Sequence, residues 1–177
     1  MHEVLMARPG GLDTHQLHRE VYSALAEPGQ PRKFIYADLG GAVVVRGEFP
    51  REIAARGRPV LQTGEREEYG FTLTAFPTVK FNGKPRSIGR AKVKDSLRLR
   101  WLTNRAAQHG FEVLGIPFMQ TRSTTITKDE SAFGMNLTTY EGRLRVTDAE
   151  TFNAALRGGI GQGRAYGAGL LIINPLA

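Results

Sequence analysis

The chain has no cysteine, and only four of its 177 residues are histidine. Without thiols it can form neither a disulfide nor a thiolate zinc site. Long apolar runs are missing as well. Stretches such as LLII fall far short of the roughly 20 residues that span a bilayer. The opening MHEVLMARPGG lacks the apolar core of a signal peptide, so the cytoplasm is the expected compartment. No basic helix with a bulky apolar face stands out, which leaves a membrane surface without a docking element. Acidic residues are in short supply: 17 Asp and Glu stand against 24 Lys and Arg, a formal charge of +7. That balance points to an acidic polymer as partner, with nucleic acid ahead of membrane.

What is present is enough for packed cores. Hydrophobic residues make up 41% of the chain, which argues against disorder. A short apolar strand at Val4–Ala7 ends at Pro9-Gly10-Gly11. Asp13 and Gln16 then form a capping box for a helix whose stripe is Leu17, Val21 and Leu25, with Pro28-Gly29 as its stop. Strands over 33–39 and 42–49 meet at Gly40-Gly41 in a hairpin. A short helix over 50–56 and a strand over 59–63 complete a βαββαβ order. The polar GEREE (64–68) reads as a linker, and the order recurs. A strand spans Tyr69–Lys80, and a basic loop follows. A helix over 94–109 carries the stripe Leu97, Trp101, Leu102 and Ala106. A strand over 111–120 leads to β structure over 121–147, around a loop near Lys128 to Gly134. A helix over 149–157 is capped by Asp148, and LLII is the last strand. The fold class is therefore α+β, two tandem ferredoxin-like domains over 1–66 and 67–177.

The cations cluster. Residues 80–105 hold nine Lys or Arg and a single acid, Asp95. Gly83, Pro85 and Gly89 break the first half of this run into an irregular segment. A flexible basic loop leading into a basic helix can wrap phosphates.

Of the histidines, His2 lies at the terminus. His109 falls in the last turn of a helix, whose negative end favours an imidazolium. His15 and His18 are the informative pair. Three apart on the first helix, they share a face away from the apolar stripe. The positive helix end disfavours their charged form, and a neutral imidazole is what a general base requires. Surface histidines without a role are the plain alternative. A metal site lacks a third ligand of suitable spacing, since Glu20 is the one nearby carboxylate on a compatible face. RNA offers a reaction that needs no metal, in which the 2′-hydroxyl attacks the adjacent phosphorus.

Near the end stands GGIGQGRAYGAGLL (158–171), in which six of fourteen residues are glycine. A dinucleotide fingerprint fits poorly: Tyr166 stands where the third glycine belongs, and a strand follows where a helix should. Two readings stay open, a tight helix-to-strand turn or a loop that receives another phosphate, such as an RNA backbone.

Three stretches resemble one family. His15-Gln16-Leu17-His18, RWLTNRAAQHGF (100–111) and above all EGRLRVTDAETFNAALRGGIGQGRAYGAGLL (141–171) are similar to the CasE-type CRISPR-associated endoribonucleases. The resemblance implies two tandem ferredoxin-like domains and cleavage at the base of a CRISPR repeat hairpin. The cut needs no metal or other cofactor and leaves a 2′,3′-cyclic phosphate and a 5′-hydroxyl. It also implies that the product stays bound and that other interference-complex subunits are partners. His18 falls on the family's catalytic histidine, and His15 falls where some members carry tyrosine. The segment with Lys80, Lys84, Arg86, Arg90, Lys92 and Lys94, continued by Arg98, falls where relatives grip the RNA stem. Thr72 and Thr74 stand where relatives place arginines. Gly161, Gly163 and Arg164 are expected to face RNA phosphates from a loop turned toward the groove between the halves. A non-cleaving RNA-binding subunit and a scaffold with no RNA affinity are the competing readings.

Overall fold

The computed structural model describes residues 1–25, 34–128 and 131–176. The first half comprises β1 (His2–Ala7), α1 (Thr14–Leu25), β2 (Phe34–Asp38), β3 (Ala42–Gly47), α2 (Arg51–Ala54) and β4 (Arg58–Pro59). Its antiparallel sheet has the order β2-β3-β1-β4. The capping box forms as the sequence predicts: the Gln16 N–H donates to the Asp13 carboxylate at 2.7 Å, and the Asp13 N–H to the Gln16 side chain at 2.9 Å. Leu17 and Val21 are thereby aimed at Phe34, Tyr36, Val43 and Val45. The Pro28-Gly29 stop lies outside the described residues. On the opposite face of the same strands, Ile35, Ala37 and Val44 pack against Leu170 and Ile172 of the second half. Burial on both faces is why these strands read as unbroken apolar runs.

The strand expected over 59–63 shrinks to β4. Pro59 has no N–H for a ladder, and Thr63 is bound elsewhere. Its N–H and hydroxyl donate to Asn153, whose amide returns a hydrogen bond to the Thr63 carbonyl at 3.0 Å.

The second half comprises β5 (Glu68–Ala75), β6 (Thr78–Phe81), β7 (Lys84–Ser87), α3 (Asp95–Gln108), β8 (Phe111–Lys128), β9 (Ser131–Val146), α4 (Ala149–Gly158) and β10 (Leu171–Pro175). Its main sheet has the order β10-β5-β9-β8. Leaving aside β6 and β7, the element sequence and strand order repeat those of the first half, so the chain is two ferredoxin-like units in tandem. Trp101, Leu102 and Ala106 of α3 join Phe152, Ala155 and Leu156 of α4 over this sheet. The Thr151 N–H donates to the capping Asp148 carboxylate at 2.8 Å. Three expectations need correction here. The loop near Lys128 to Gly134 is shorter, since β9 begins at Ser131 and pairs back onto β8 from there, residues 129–130 lying outside the described ones. The strand over 69–80 is broken at Phe76-Pro77, and the basic loop after it is a hairpin, β6–β7, pairing Thr78 with Ser87 and Phe81 with Lys84.

The halves are joined by a buried polar cluster. Arg46 of β3 is 3% exposed. Its guanidinium donates to Glu3, to the Leu156 carbonyl at 2.7 Å and to the Leu171 carbonyl at 2.9 Å. Arg58 donates to the other Glu3 oxygen. Burial alone would raise the Glu3 pKa, but Arg46 and Arg58 outweigh it and hold the carboxyl below its ordinary value of 4.5. A depressed carboxyl pKa adds stability that is present above the unfolded value and lost as pH falls through the folded one. Urea midpoints are therefore expected to drop between pH 5 and pH 3, and Glu3→Gln should flatten that drop. An equal drop in both proteins would show that Glu3 does not carry it.

Candidate nucleic-acid interface

His15 and His18 leave α1 on the side not taken by Leu17 and Val21, and both are half-buried. Their ring centroids lie 6.5 Å apart. The His18 ring rests against Tyr22, one turn on, at 4.3 Å and against Tyr166 at 5.4 Å. Tyr166 meets Phe133 of β9 edge-on at 5.9 Å. The start of α1 is tied to β8 by a hydrogen bond shared between the Thr14 and Thr124 hydroxyls, 2.9 Å apart. Arg8 steadies the approach to the helix, donating to Asp38 at 2.9 Å and to the Leu12 carbonyl at 3.0 Å. His18 thus sits where α1, the glycine-rich stretch and the long β8–β9 hairpin converge.

The glycine stretch is a folded turn. Arg164–Tyr166 form one turn of 3-10 helix, bracketed by Gly163 and Gly167 in the left-handed region at φ 79° and 78°. A side chain at Gly167 would meet the Tyr36 ring at 3.0 Å, and one at Gly169, at φ 90°, would meet the Ile160 carbonyl at 2.7 Å. Both positions exclude a side chain by conformation and by space. Several N–H groups are consumed internally: Ile160 donates to Gly169, Gly169 to Thr74, and Tyr166 and Ala168 to Gly163. Gly161 lies against the Trp101 ring, and Gly163 against Met135 and Phe76. Arg164 is exposed and donates to the Gly158 carbonyl at 2.7 Å. Of the two readings of this stretch, the tight turn is therefore formed, and it presses Tyr166 toward the histidine.

The basic segment begins as the β6–β7 ribbon. Asn82 and Gly83 have φ 48° and 75°, the geometry of a two-residue hairpin turn with both central residues left-handed. Lys80, Lys84, Arg86, Arg90, Lys92 and Lys94 are exposed. Arg98 departs from expectation. It is 1% exposed, and its guanidinium is spent on Asp95 and on the carbonyls of Gly89 and Ala91. It pins the end of the basic segment to α3 and presents no charge to a ligand. Thr74 is likewise buried, sharing a hydrogen bond with Thr139 at 2.9 Å.

The root of the ribbon connects it to the histidine face. The Ile88 N–H donates to the Pro77 carbonyl at 3.1 Å, and Asn136 of β9 donates to the Ser87 hydroxyl at 3.0 Å. Phe76, just before the ribbon, packs with Tyr166 on the cluster of Ile126, Met135, Leu137 and Ala168. The root of the ribbon is thus hydrogen-bonded beside the cluster on which Tyr166 packs, and Tyr166 in turn meets His18. His109 follows the last residue of α3. Partial burial first, then Arg105 and Arg164, hold it below the ordinary histidine value, so these outweigh the helix dipole that was expected to favour its charged form.

Tyr22, Tyr166 and Phe76 were not singled out from sequence. Tyr22 was findable at i+4 from His18. Tyr166 reaches α1, and Phe76 the cluster under Tyr166, only through tertiary packing. Among the described residues, no group of three or more His, Asp or Glu is placed to hold a metal ion, and no helix is long and apolar enough to cross a membrane.

The profile of a family described as CRISPR associated protein matches residues 6–175. The CRISPR-associated endoribonuclease Cse3 of Thermus thermophilus is 32% identical over 129 residues, which is 66% of this chain and 59% of that protein's own length. Among solved structures, the CRISPR endoribonuclease Cse3 bound to a 19-nucleotide RNA superposes with a TM-score of 0.74 at 20% identity, covering 99% of this chain and 100% of that one. A chain of a CRISPR RNA-guided surveillance complex superposes with a TM-score of 0.74 at 14% identity and the same coverage. At these identities the superpositions speak for the fold.

Proposed function

The chain belongs to the CRISPR-associated protein family whose profile runs from residue 6 to 175, and on that footing we propose that it is an endoribonuclease of the cytoplasm that cuts CRISPR repeat hairpins into guide RNAs without a metal. One observation supports this above the rest: His18, half-buried between Tyr22 and Tyr166, meets through Tyr166 the cluster beside which the root of the cationic β6–β7 ribbon is hydrogen-bonded. His18 takes the proton from a ribose 2′-hydroxyl, and the oxygen attacks the adjacent phosphorus. The 5′-oxygen leaves with a proton, giving a 2′,3′-cyclic phosphate and a 5′-hydroxyl. His15, on the same face of α1 with its ring 6.5 Å away, is the histidine that can supply that proton. Arg164 lies exposed on the glycine-rich turn and supplies positive charge where the phosphorane oxygens develop theirs. The product stays bound and enters a complex with other CRISPR subunits.

The test is to incubate repeat RNA with the protein in EDTA and identify the ends of the product. A cyclic phosphate is expected. RNA that is shifted on a gel but left uncut would replace this reading with a non-cleaving binding subunit. Exchanging Lys84, Arg86 and Arg90 together for alanine is expected to weaken binding and to lower the slope of log K against log salt. Each lost phosphate contact removes roughly 0.7 to 0.9 from that slope. An unchanged slope would place the phosphate contacts elsewhere.

A further inference from the structure

We propose that the outward face of the β6–β7 ribbon is a stacking site for an unpaired nucleobase, with the Phe81 ring as its platform. The inference rests on the repeat-RNA reading and adds to it a contact made to a base rather than to phosphate.

The sidedness of the ribbon carries the argument. Phe81 pairs with Lys84 and Val79 with Arg86. Cross-strand partners share a face, as do residues two apart, so Val79, Phe81, Lys84 and Arg86 form one surface. Thr78, Lys80, Pro85 and Ser87 form the other, and it is there that Ser87 accepts a hydrogen bond from Asn136 of β9. The Ser87 side is therefore turned toward the body of the protein and the Phe81 side away from it. Phe81 is 54% exposed and Val79 37%.

The ribbon is a two-stranded sheet separate from the two main sheets. Such a ribbon gains little from burying its own side chains, and a phenylalanine near its tip leaves apolar surface in water. The ring is already half of a sandwich, since the Arg86 guanidinium carbon lies 4.8 Å from its centroid. A cation on one side of an aromatic ring, a neighbouring lysine and an open second side form the arrangement on which nucleobases stack. Lys84 is in reach of the phosphate attached to such a base. Bases within a helical stem are already stacked on their neighbours, so the ligand is a loop or flanking nucleotide outside the stem. Its identity matters little, because every base has a π face.

The experiment uses the full chain and synthetic repeat stem-loops carrying 2-aminopurine at one unpaired position at a time. Binding is expected to quench the fluorescence at one of these positions. Phe81→Leu should remove that quenching and weaken stem-loop affinity roughly 5- to 100-fold. Phe81→Tyr, which keeps the ring, should preserve both. A blunt duplex of the same stem should bind the wild-type and Phe81→Leu proteins equally. The proposal is overturned if no position shows quenching that depends on the ring, or if Phe81→Leu loses as much affinity for the duplex as for the stem-loop. A wild-type protein that binds none of these RNAs would overturn the repeat-RNA reading itself, which is a different result.

Discussion

His18→Ala is expected to slow cleavage of repeat RNA by roughly 10²- to 10⁴-fold while leaving its Kd within about threefold of wild type. The separation of the two effects follows from where the residue sits. The imidazole is flanked by Tyr22 and Tyr166, whereas the exposed cations assigned to phosphate binding, Lys84, Arg86 and Arg90, lie on the ribbon and the segment that follows it. Removing the ring takes away a proton acceptor without removing a phosphate contact. The fold should tolerate the change, because Leu17 and Val21 hold α1 to its sheet and the capping box lies a turn earlier. Single-turnover rates, filter-binding affinities and thermal melts of the same preparation separate chemistry, binding and folding. Cleavage at the wild-type rate would remove His18 from the mechanism. A parallel collapse of affinity would make it a binding residue.

Arg46→Met is expected to destabilise the protein by about 3–5 kcal/mol, the largest stability effect foreseen for a single substitution. The loss has two sources. Glu3, 8% exposed, would keep its charge with only the exposed Arg58 as partner. The carbonyls of Leu156 and Leu171 would lose the donor that now reaches them at 2.7 and 2.9 Å, and unsatisfied buried acceptors are costly. For a chain of this length the melting temperature should fall by roughly 6–20 °C. Adding Glu3→Gln to Arg46→Met should recover part of the loss, because it removes the stranded charge. A double variant no more stable than Arg46→Met alone would shift the weight to the two carbonyls.

What could be read from sequence was what short-range chemistry determines. The capping box at Asp13 and Gln16 is made by groups three residues apart, and the cap at Asp148 likewise, so both helix starts were legible. The doubled βαββαβ order followed from element lengths and turn residues. The hairpin at Asn82-Gly83 was legible too, but Gly83, Pro85 and Gly89 were weighed as breakers. In fact the glycine makes the turn, and Pro85 is tolerated because the ribbon is only two strands wide. Arg98 was misassigned because its charge was counted and its phase was not. It lies one turn before Leu102, beside the stripe that packs Trp101 and Ala106. His18 could be nominated from sequence, but not Tyr166, which comes from the far end of the chain and reaches α1 only once both sheets have formed.

The separateness of the β6–β7 ribbon has an evolutionary corollary. Thr78–Ser87 leaves and re-enters the body at a single root, between Pro77 and Ile88, and adds no strand to either main sheet. Its length and tip can drift from lineage to lineage while the histidine helix and the glycine turn stay under their own constraints. Under the proposed function, specificity for a different RNA can be gained by exchange of one small cassette, with the histidine face left untouched.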